Sequence, residues 1–485
     1  MFGSWLCISV CLLGYTSAEK IIIIGAGASG IATASTLLEH NITDFIILEA
    51  ENRIGGRIHS FHLGNAIIDL GAQYVHGEKG NIVYDLAKDY VVHRPEINNV
   101  TVYFSGKRKN GENLQSVSKE LYYDLIQYVH DKDSSLGEVY LSRYNSTILA
   151  KYQNDTEMLN YAKCSLKNVE GAILSLEGAF DWFDISATST FYDADGDQTL
   201  SWNGLGYKTI FDILLKNFPN KTGYNIDNKI LFNRTVSKVI LKGNSVNVKC
   251  VDGSEYSSDH VVFTPSLGVL KHNYKSLFEP KLSDDKVSAI ENLGFDGIMK
   301  ILIEFPRAWW HGNENFLFVW NEKDVEDLKK DIRYGPMTDK DHWLSWFSYM
   351  GLAPKNPLVM IGWYSGPFVK EVEKLSEKEM ESAVLYTLQK HLSRDYNITK
   401  PKTVIHSKWC TNPHFRGTYS YETVKLRKRN ITSAHEALLE PVRGLDGKPR
   451  ILFAGEATNP ERFSTVDGAV ETGFREGYRL VNILK

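Results

Sequence analysis

The chain has 485 residues, and residues 1–18 read as a removable leader; the remaining 467 are about three times a typical single-domain length, which excludes one small module. Hydrophobic residues make up 43%, aromatics 12% and charged residues 24%, a composition that buries a large core and excludes disorder as the dominant state. Lys plus Arg 55 against Asp plus Glu 59 gives −4, without the basic excess of a nucleic-acid binder and only mildly favourable to a cationic ligand.

In chain order, the first feature is the apolar run from Trp5 to Leu13 followed by Thr16-Ser17-Ala18, a signal-peptide shape whose n-region lacks the usual Lys or Arg. It predicts secretion, and eight N-x-S/T sequons agree with it. Asn99, Asn145, Asn154, Asn220, Asn397 and Asn430 are the glycosylation candidates; Asn41 is a further sequon, and Asn233 is set apart because it falls where buried cofactor contacts are expected. Cys7 and Cys11 leave with the leader, so Cys164, Cys250 and Cys410 allow at most one internal disulfide, or three unpaired buried thiols. Their spacing fits no metal site.

No charge appears from Ile21 to Leu38, a length near the transmembrane threshold. Four isoleucines followed by a Gly/Ala/Ser/Thr-rich stretch instead predict a buried parallel strand turning into a close-packed helix that runs to about His40. Between them lies Gly25-Ala26-Gly27-Ala28-Ser29-Gly30, and a second strand, Phe45–Leu48, ends at Glu49. This is a dinucleotide-binding βαβ start. Gly25 makes the tight turn, Gly27 lets the backbone approach a pyrophosphate, Gly30 permits close helix–strand packing, and Glu49 stands where a carboxylate binds ribose hydroxyls. The helix N-terminus offers free N–H groups to the phosphates.

Residues from about 90 to 200 are helix-rich, with amphipathic stretches at Leu121–His130 and Tyr161–Leu176, and read as an insertion. Strand-like alternation returns at Thr235–Leu241, Val246–Val251 and His260–Thr264; a second mixed insertion covers about 290–400, and Ile451–Gly455 reads as a buried strand ending at glycine. One domain is thus expected to assemble from separated segments. The C-terminus, Asn482-Ile483-Leu484-Lys485, predicts no membrane anchor.

The chemistry-bearing motifs begin after Glu49 with Arg53-Ile54-Gly55-Gly56-Arg57, in which Arg57 can contact phosphate bidentately. Next come Gly71-Ala72-Gln73-Tyr74-Val75-His76-Gly77, then Thr264-Pro265-Ser266-Leu267-Gly268, then Lys300 inside Gly297-Ile298-Met299-Lys300-Ile301. Trp409 precedes Asn412-Pro413-His414-Phe415-Arg416-Gly417-Thr418-Tyr419-Ser420-Tyr421, and Gly455-Glu456-Ala457-Thr458 precedes Ser464-Thr465-Val466-Asp467-Gly468-Ala469. Through nearly the whole mature chain this series resembles the flavoprotein amine oxidase family, most of all its polyamine oxidases of the spermine and N1-acetylpolyamine type.

The resemblance implies an α/β fold with an α+β substrate part: a Rossmann-like FAD-binding domain of the glutathione-reductase/amine-oxidase type, interleaved with a substrate-binding domain. The expected division is 19–90, 200–290 and 405–485 for FAD, and 91–199 and 291–404 for substrate. It further implies noncovalent FAD, since Cys410 follows Trp409 rather than standing in the context that tethers flavin in the monoamine oxidase branch. Gly25, Gly27, Gly30, Glu49, Arg57, Gln73, Tyr74, Val236, Trp409, Glu456, Thr465 and Val466 are the expected cofactor contacts.

A lone strand lysine ordinarily points to solvent, but the resemblance gives Lys300 a water at flavin N5 and a part in reoxidation by oxygen. His76 is expected in the substrate tunnel, orienting the amine or keeping it neutral, because hydride departure from carbon needs an unprotonated nitrogen. Trp409, Tyr419 and Tyr421 are candidate aromatic surfaces, with Trp409 beside flavin and Tyr421 toward substrate. Asp184, and less so Asp193, Asp195 and Asp197, can attract distal ammonium groups.

The implied activity is a secreted FAD-dependent polyamine oxidase that converts spermine, spermidine or their N1-acetyl derivatives, with O2, to an aldehyde, a shorter amine and hydrogen peroxide. Expected partners are the polyamine and O2, with no nucleic acid, in a monomer or homodimer. An L-amino-acid oxidase is the nearest alternative, but would need an arginine for the substrate carboxylate where Gly71–Gly77 supplies His76. A non-catalytic flavin-binding protein is the second; Lys300 and His76 argue against it.

Overall fold

The computed structural model describes residues 20–93, 100–109 and 133–485. The leader, Asn99 and the Leu121–His130 stretch lie outside the described residues.

Four consecutive β-branched residues, each almost fully buried, make Ile21–Ile24 a central strand of a six-stranded sheet. It pairs in parallel with Phe45–Leu48 on one side and His260–Phe263 on the other. Pro449–Phe453 and Ile230–Leu231 extend the parallel part, and Val442–Arg443 closes one edge antiparallel. Segments more than 400 residues apart in sequence therefore share one sheet.

The helix Ala28–Glu39 follows directly, so the uncharged stretch is divided between a strand and a helix. Among the described residues no helix is long and apolar enough to cross a membrane. That helix packs on the C-terminal helix Val466–Leu484 through small residues: a Cβ on Gly473 would lie 2.3 Å from the Ser29 carbonyl oxygen, and Thr33 Oγ1 donates to the Gly473 carbonyl at 3.0 Å. Beside the main sheet stand four strands in the order Glu255–Ser258, Ser245–Cys250, Val236–Lys242, Phe278–Glu279.

A separate seven-stranded sheet runs Thr403–His406, Met299–Glu304, Val359–Tyr364, Phe347–Leu352, Asn315–Val319, Val100–Phe104, Lys107–Lys109. It carries the largest hydrophobic cluster, which includes Tyr103, Phe316, Phe318, Trp343 and Phe347. The helix Thr156–Glu177 packs on it; Asp155 caps its start by accepting from the Met158 N–H, and Gly178, at φ 70°, ends it. The helix-rich reading of 90–200 omits Val100–Phe104, whose hydrogen-bonding partner Asn315–Val319 is more than 200 residues away. Such a pairing leaves no local trace in sequence.

Candidate active site

At the first βα turn Gly25 takes φ +101°, and a Cβ on Gly30 would lie 2.0 Å from the Gly25 carbonyl oxygen, so both positions demand glycine. Gly27 differs. Its backbone is extended, no side chain caps the helix it begins, and a Cβ there would meet nothing within 4 Å. The helix N-terminus thus faces open space, a cradle for a phosphate with uncapped N–H groups behind it. Gly55 closes one side of it by donating its N–H to the Ala26 carbonyl at 2.9 Å.

Glu49 Oε2 accepts the Ala26 N–H at 2.7 Å and Oε1 the Glu51 N–H at 2.8 Å, each oxygen keeping a lone pair for a sugar hydroxyl. Burial pushes its pKa up against these two bonds. Arg234 brings the strand bearing Val236 alongside, its N–H donating to the Glu49 carbonyl at 2.8 Å.

Glu456 ties Arg57, far away in sequence, to Ser420 and Ser464. Its Oε1 accepts from Arg57 Nη1 at 2.9 Å, and its Oε2 from Ser420 Oγ at 2.6 Å and the Ser464 N–H at 2.8 Å. Arg57 also donates to the Thr418 carbonyl at 2.6 Å. A concavity lined by Arg57, Pro265, Ser266, Gly455 and Glu456 opens there. Thr465 caps the C-terminal helix by accepting the Gly468 N–H at 3.1 Å, and Val466 is that helix's first residue. Open space at Gly27, a sugar-binding acid at Glu49 and a concavity beside the Arg57–Glu456 ion pair suit successive parts of FAD, so the residues present fit the cofactor.

Lys300 lies on the strand Met299–Glu304, all of it buried, and is only 4% exposed. Its Nζ donates to Gln73 Oε1 at 2.8 Å and to the carbonyls of Gly71 at 2.7 Å and Asp69 at 3.1 Å, with the Trp363 ring centroid 4.7 Å away. Three acceptors use all three ammonium hydrogens, so a water held by charged Lys300 would displace one of them. Burial lowers its pKa from 10.5 to about 7, opposed by the Asp69 carboxylate.

His76 is exposed to solvent, although many protein atoms lie around its ring. Its Nδ1 is 2.7 Å from the Gln198 carbonyl oxygen, which can only accept, so Nδ1 carries the hydrogen and neutral His76 presents Nε2 as a base. Burial lowers its pKa below 6.5; the Gln198 bond and the charges of Asp467 and Asp193 oppose that.

Trp409 is buried, edge-on to Phe415 with ring centroids 5.3 Å apart, and packs over Gly71. Ser420 faces Glu456, whereas its neighbours turn to other partners: Tyr419 OH donates to the Ser175 carbonyl at 2.5 Å and Tyr421 OH to Asp296 Oδ2 at 2.8 Å. Asp184 is half-exposed, 3.8 Å from Lys425 Nζ. Asp195 and Asp197 serve the loop against His76, their carbonyls accepting the N–H groups of Glu78 and Gly77. Tyr74 is half-buried in the same segment. Cys164, Cys250 and Cys410 are free thiols, the first only partly buried. Asn233 is exposed, not buried, as are Asn41, Asn145, Asn154, Asn220, Asn397 and Asn430.

Several participants carry no sequence signal. Trp363 reaches Lys300 because the two are register partners on adjacent strands, and Asp69, Gln198 and Asp296 act through contacts at separations above 100 residues. Pairing of the strands could have exposed Trp363; the others needed the fold.

Residues 28–481 match the family described as flavin containing amine oxidoreductase. The chain is 26% identical to "Probable polyamine oxidase 5" of Arabidopsis thaliana, covering 96% of this chain and 98% of that protein. It is 26% identical to "Peroxisomal N(1)-acetyl-spermine/spermidine oxidase" of Homo sapiens, covering 96% and 95%, and 24% identical to "Polyamine oxidase 1" of Zea mays, covering 97% and 92%.

Proposed function

The chain belongs to the flavin containing amine oxidoreductase family and is an FAD-dependent amine oxidase that binds its flavin noncovalently; from this premise we propose that its substrate is a polyamine and its electron acceptor dioxygen. The observation that carries the proposal is the pairing of a buried lysine at Lys300 with a neutral histidine base at His76, on a chain alignable end to end with proteins named as polyamine oxidases.

FAD, when bound, accepts a hydride from the carbon beside the amine nitrogen and is reoxidised by dioxygen. The cradle from Gly25 to Gly30, with Glu49, Val236, Arg57 and Glu456, holds its nucleotide and pyrophosphate portions; Gln73, Tyr74, Trp409, Thr465 and Val466 hold the flavin end. His76 Nε2 accepts a proton from the substrate ammonium, and the amine is thereby kept neutral. Lys300 contributes a buried donor whose charge is in balance near neutrality. Asp184, partly screened by Lys425, offers a carboxylate to a distal ammonium.

The FAD-binding part comprises 19–90, 200–290 and 405–485, and the substrate part 91–199 and 291–404. Export belongs to the same proposal, supported by the signal-peptide shape of residues 1–18 and by sequons that lie exposed. Products are an aldehyde, a shorter amine and hydrogen peroxide. Anaerobic mixing with spermine, N1-acetylspermine and a set of amino acids is the test: bleaching of the flavin by polyamine is expected, and bleaching by amino acids alone would overturn the proposal.

A further inference from the structure

From Phe191 to Thr199 the chain forms no helix and no strand beyond an isolated bridge at Asp195, and most of its residues are exposed. A segment of this kind moves unless it is tied down. His76 depends on it, because the Gln198 carbonyl holds Nδ1 at 2.7 Å. Gln198 Nε2 donates in turn to the Ala194 carbonyl at 2.7 Å, and the Asp195 carbonyl accepts the Glu78 N–H at 2.6 Å.

The tie is made at Tyr192. Arg462 Nη1 donates to its carbonyl at 2.6 Å, and its N–H donates to the Glu461 carbonyl at 2.8 Å, so both of its backbone groups are held by one loop. The same guanidinium lies 5.8 Å from the Phe191 ring centroid. Its other edge, Nε and Nη2, donates to Asp467 Oδ2 at 2.8 and 2.5 Å. Both side chains are buried, 6% and 2% exposed. A buried ion pair adds little net stability over an apolar pair of similar volume. The planar fork does something an apolar pair would not: it spans from the first turn of the C-terminal helix, where Asp467 directly follows Val466, to the Tyr192 backbone.

We propose that Arg462 and Asp467 are positioning residues, which fix the Phe191–Thr199 segment, and through Gln198 the His76 ring, against the helix start that carries Thr465 and Val466. The inference rests on His76 acting as the base, as proposed above. The pair also acts on the ring by charge. Burial lowers the His76 pKa; the Gln198 bond, Asp467 and Asp193 oppose this, and Arg462 adds to it. The Glu78 and Asp197 carboxylates face His93 instead, at 3.6 and 3.0 Å.

Two measurements on the FAD-loaded protein test it. Carbethoxylation of His76 by diethyl pyrocarbonate requires the neutral ring, and peptide mass spectrometry across the acidic and neutral range gives its titration midpoint. Anaerobic stopped flow with spermine gives the limiting rate of flavin reduction and the dissociation constant. Asp467→Asn is expected to lower the midpoint by about half a unit to one unit. On the plateau above the acidic limb it is expected to lower the limiting rate about tenfold, with the dissociation constant unchanged. Arg462→Lys keeps the charge and loses the fork, so its midpoint is expected at the wild-type value and its plateau about tenfold down. A pair that only stabilises the fold would lower both melting temperatures without these effects. An unchanged midpoint in Asp467→Asn, or a wild-type plateau in Arg462→Lys, would therefore overturn the proposal, and Arg462→Lys decides alone if Asp467→Asn does not fold. A wild-type enzyme without an acidic limb would remove His76 as the base, and the carbethoxylation midpoints would still decide whether the pair acts on its ring.

Discussion

Lys300 Nζ donates to Gln73 Oε1 at 2.8 Å while Nε2 of the same amide is buried without an acceptor. One side-chain amide therefore holds the buried cation through its oxygen, while its own N–H groups have no acceptor among the described residues. Removing the cation with Lys300→Met puts an apolar side chain in its place and deletes the hydrogen bond that Gln73 Oε1 accepts from Nζ. Reoxidation of the reduced flavin by dioxygen is expected to slow by about tenfold or more, with substrate reduction less affected; an unchanged oxygen rate in stopped flow would remove Lys300 from the oxidative half-reaction.

The same lysine shapes stability against pH. Unfolded, it holds its proton up to its ordinary 10.5; folded, only to about 7. Between those values the unfolded chain binds more protons, so stability rises with pH, by up to about 1.4 kcal/mol per unit for one group. Lys286 adds a second contribution in the same window, its pKa also lowered to about 7 by burial. Urea midpoints of flavin-free protein at pH 7, 8 and 9 are expected to climb, and Lys300→Met to flatten the slope by one group's share. A slope identical to wild type would contradict the buried state.

Gly27 and Gly30 sit in one fingerprint and predict opposite behaviour. Alanine at Gly30 would drive its Cβ to 2.0 Å from the Gly25 carbonyl and is expected to destabilise the apoprotein by about 1–3 kcal/mol or more. Alanine at Gly27, with nothing within 4 Å, is expected to leave the apoprotein melting temperature within about 2 °C and to weaken FAD binding, because the methyl occupies phosphate space. Thermal melts without flavin, paired with fluorescence titration by FAD, separate the two; equal destabilisation would refute the cradle.

Tyr421 is nearly fully buried, its hydroxyl on the Asp296 carboxylate at 2.8 Å. Burial raises the Asp296 pKa, and the Tyr421 bond lowers it, so this hydrogen bond helps keep a buried charge satisfied. Tyr421→Phe is expected to cost about 1–3 kcal/mol in stability and to change KM for polyamine little. A raised KM with unchanged stability would give Tyr421 a direct part in substrate binding.

Local pattern carried much of the nucleotide-binding half into view. Glycine spacing, four isoleucines and the acid after Phe45–Leu48 are short-range features, and the observed strands begin within a residue or two of where alternation puts them. Long-range pairing is what the pattern lacks. Val100–Phe104 is a strand because Asn315–Val319 lies beside it. Tyr421 and Ser420 are neighbours in one motif, yet strand alternation sends Ser420 to Glu456 and Tyr421 to Asp296, a division that composition around them does not reveal.

His76 gives the sharpest pH prediction. Its Nδ1–H is committed to the Gln198 carbonyl, so only Nε2 titrates, and burial holds that pKa below the ordinary 6.5. Near neutral pH the ring is therefore neutral and able to accept a proton from the substrate ammonium. As pH falls through the His76 pKa the base is lost, so the rate of flavin reduction should decline on an acidic limb centred below 6.5. His76→Asn keeps a polar group of similar reach but no base. It is expected to lower the reduction rate by about a hundredfold if His76 transfers the proton directly, and to abolish that acidic limb. Anaerobic reduction rates measured from pH 5 to 9 decide the matter: a variant that retains the limb unchanged would assign it to another group and leave His76 only a positioning role.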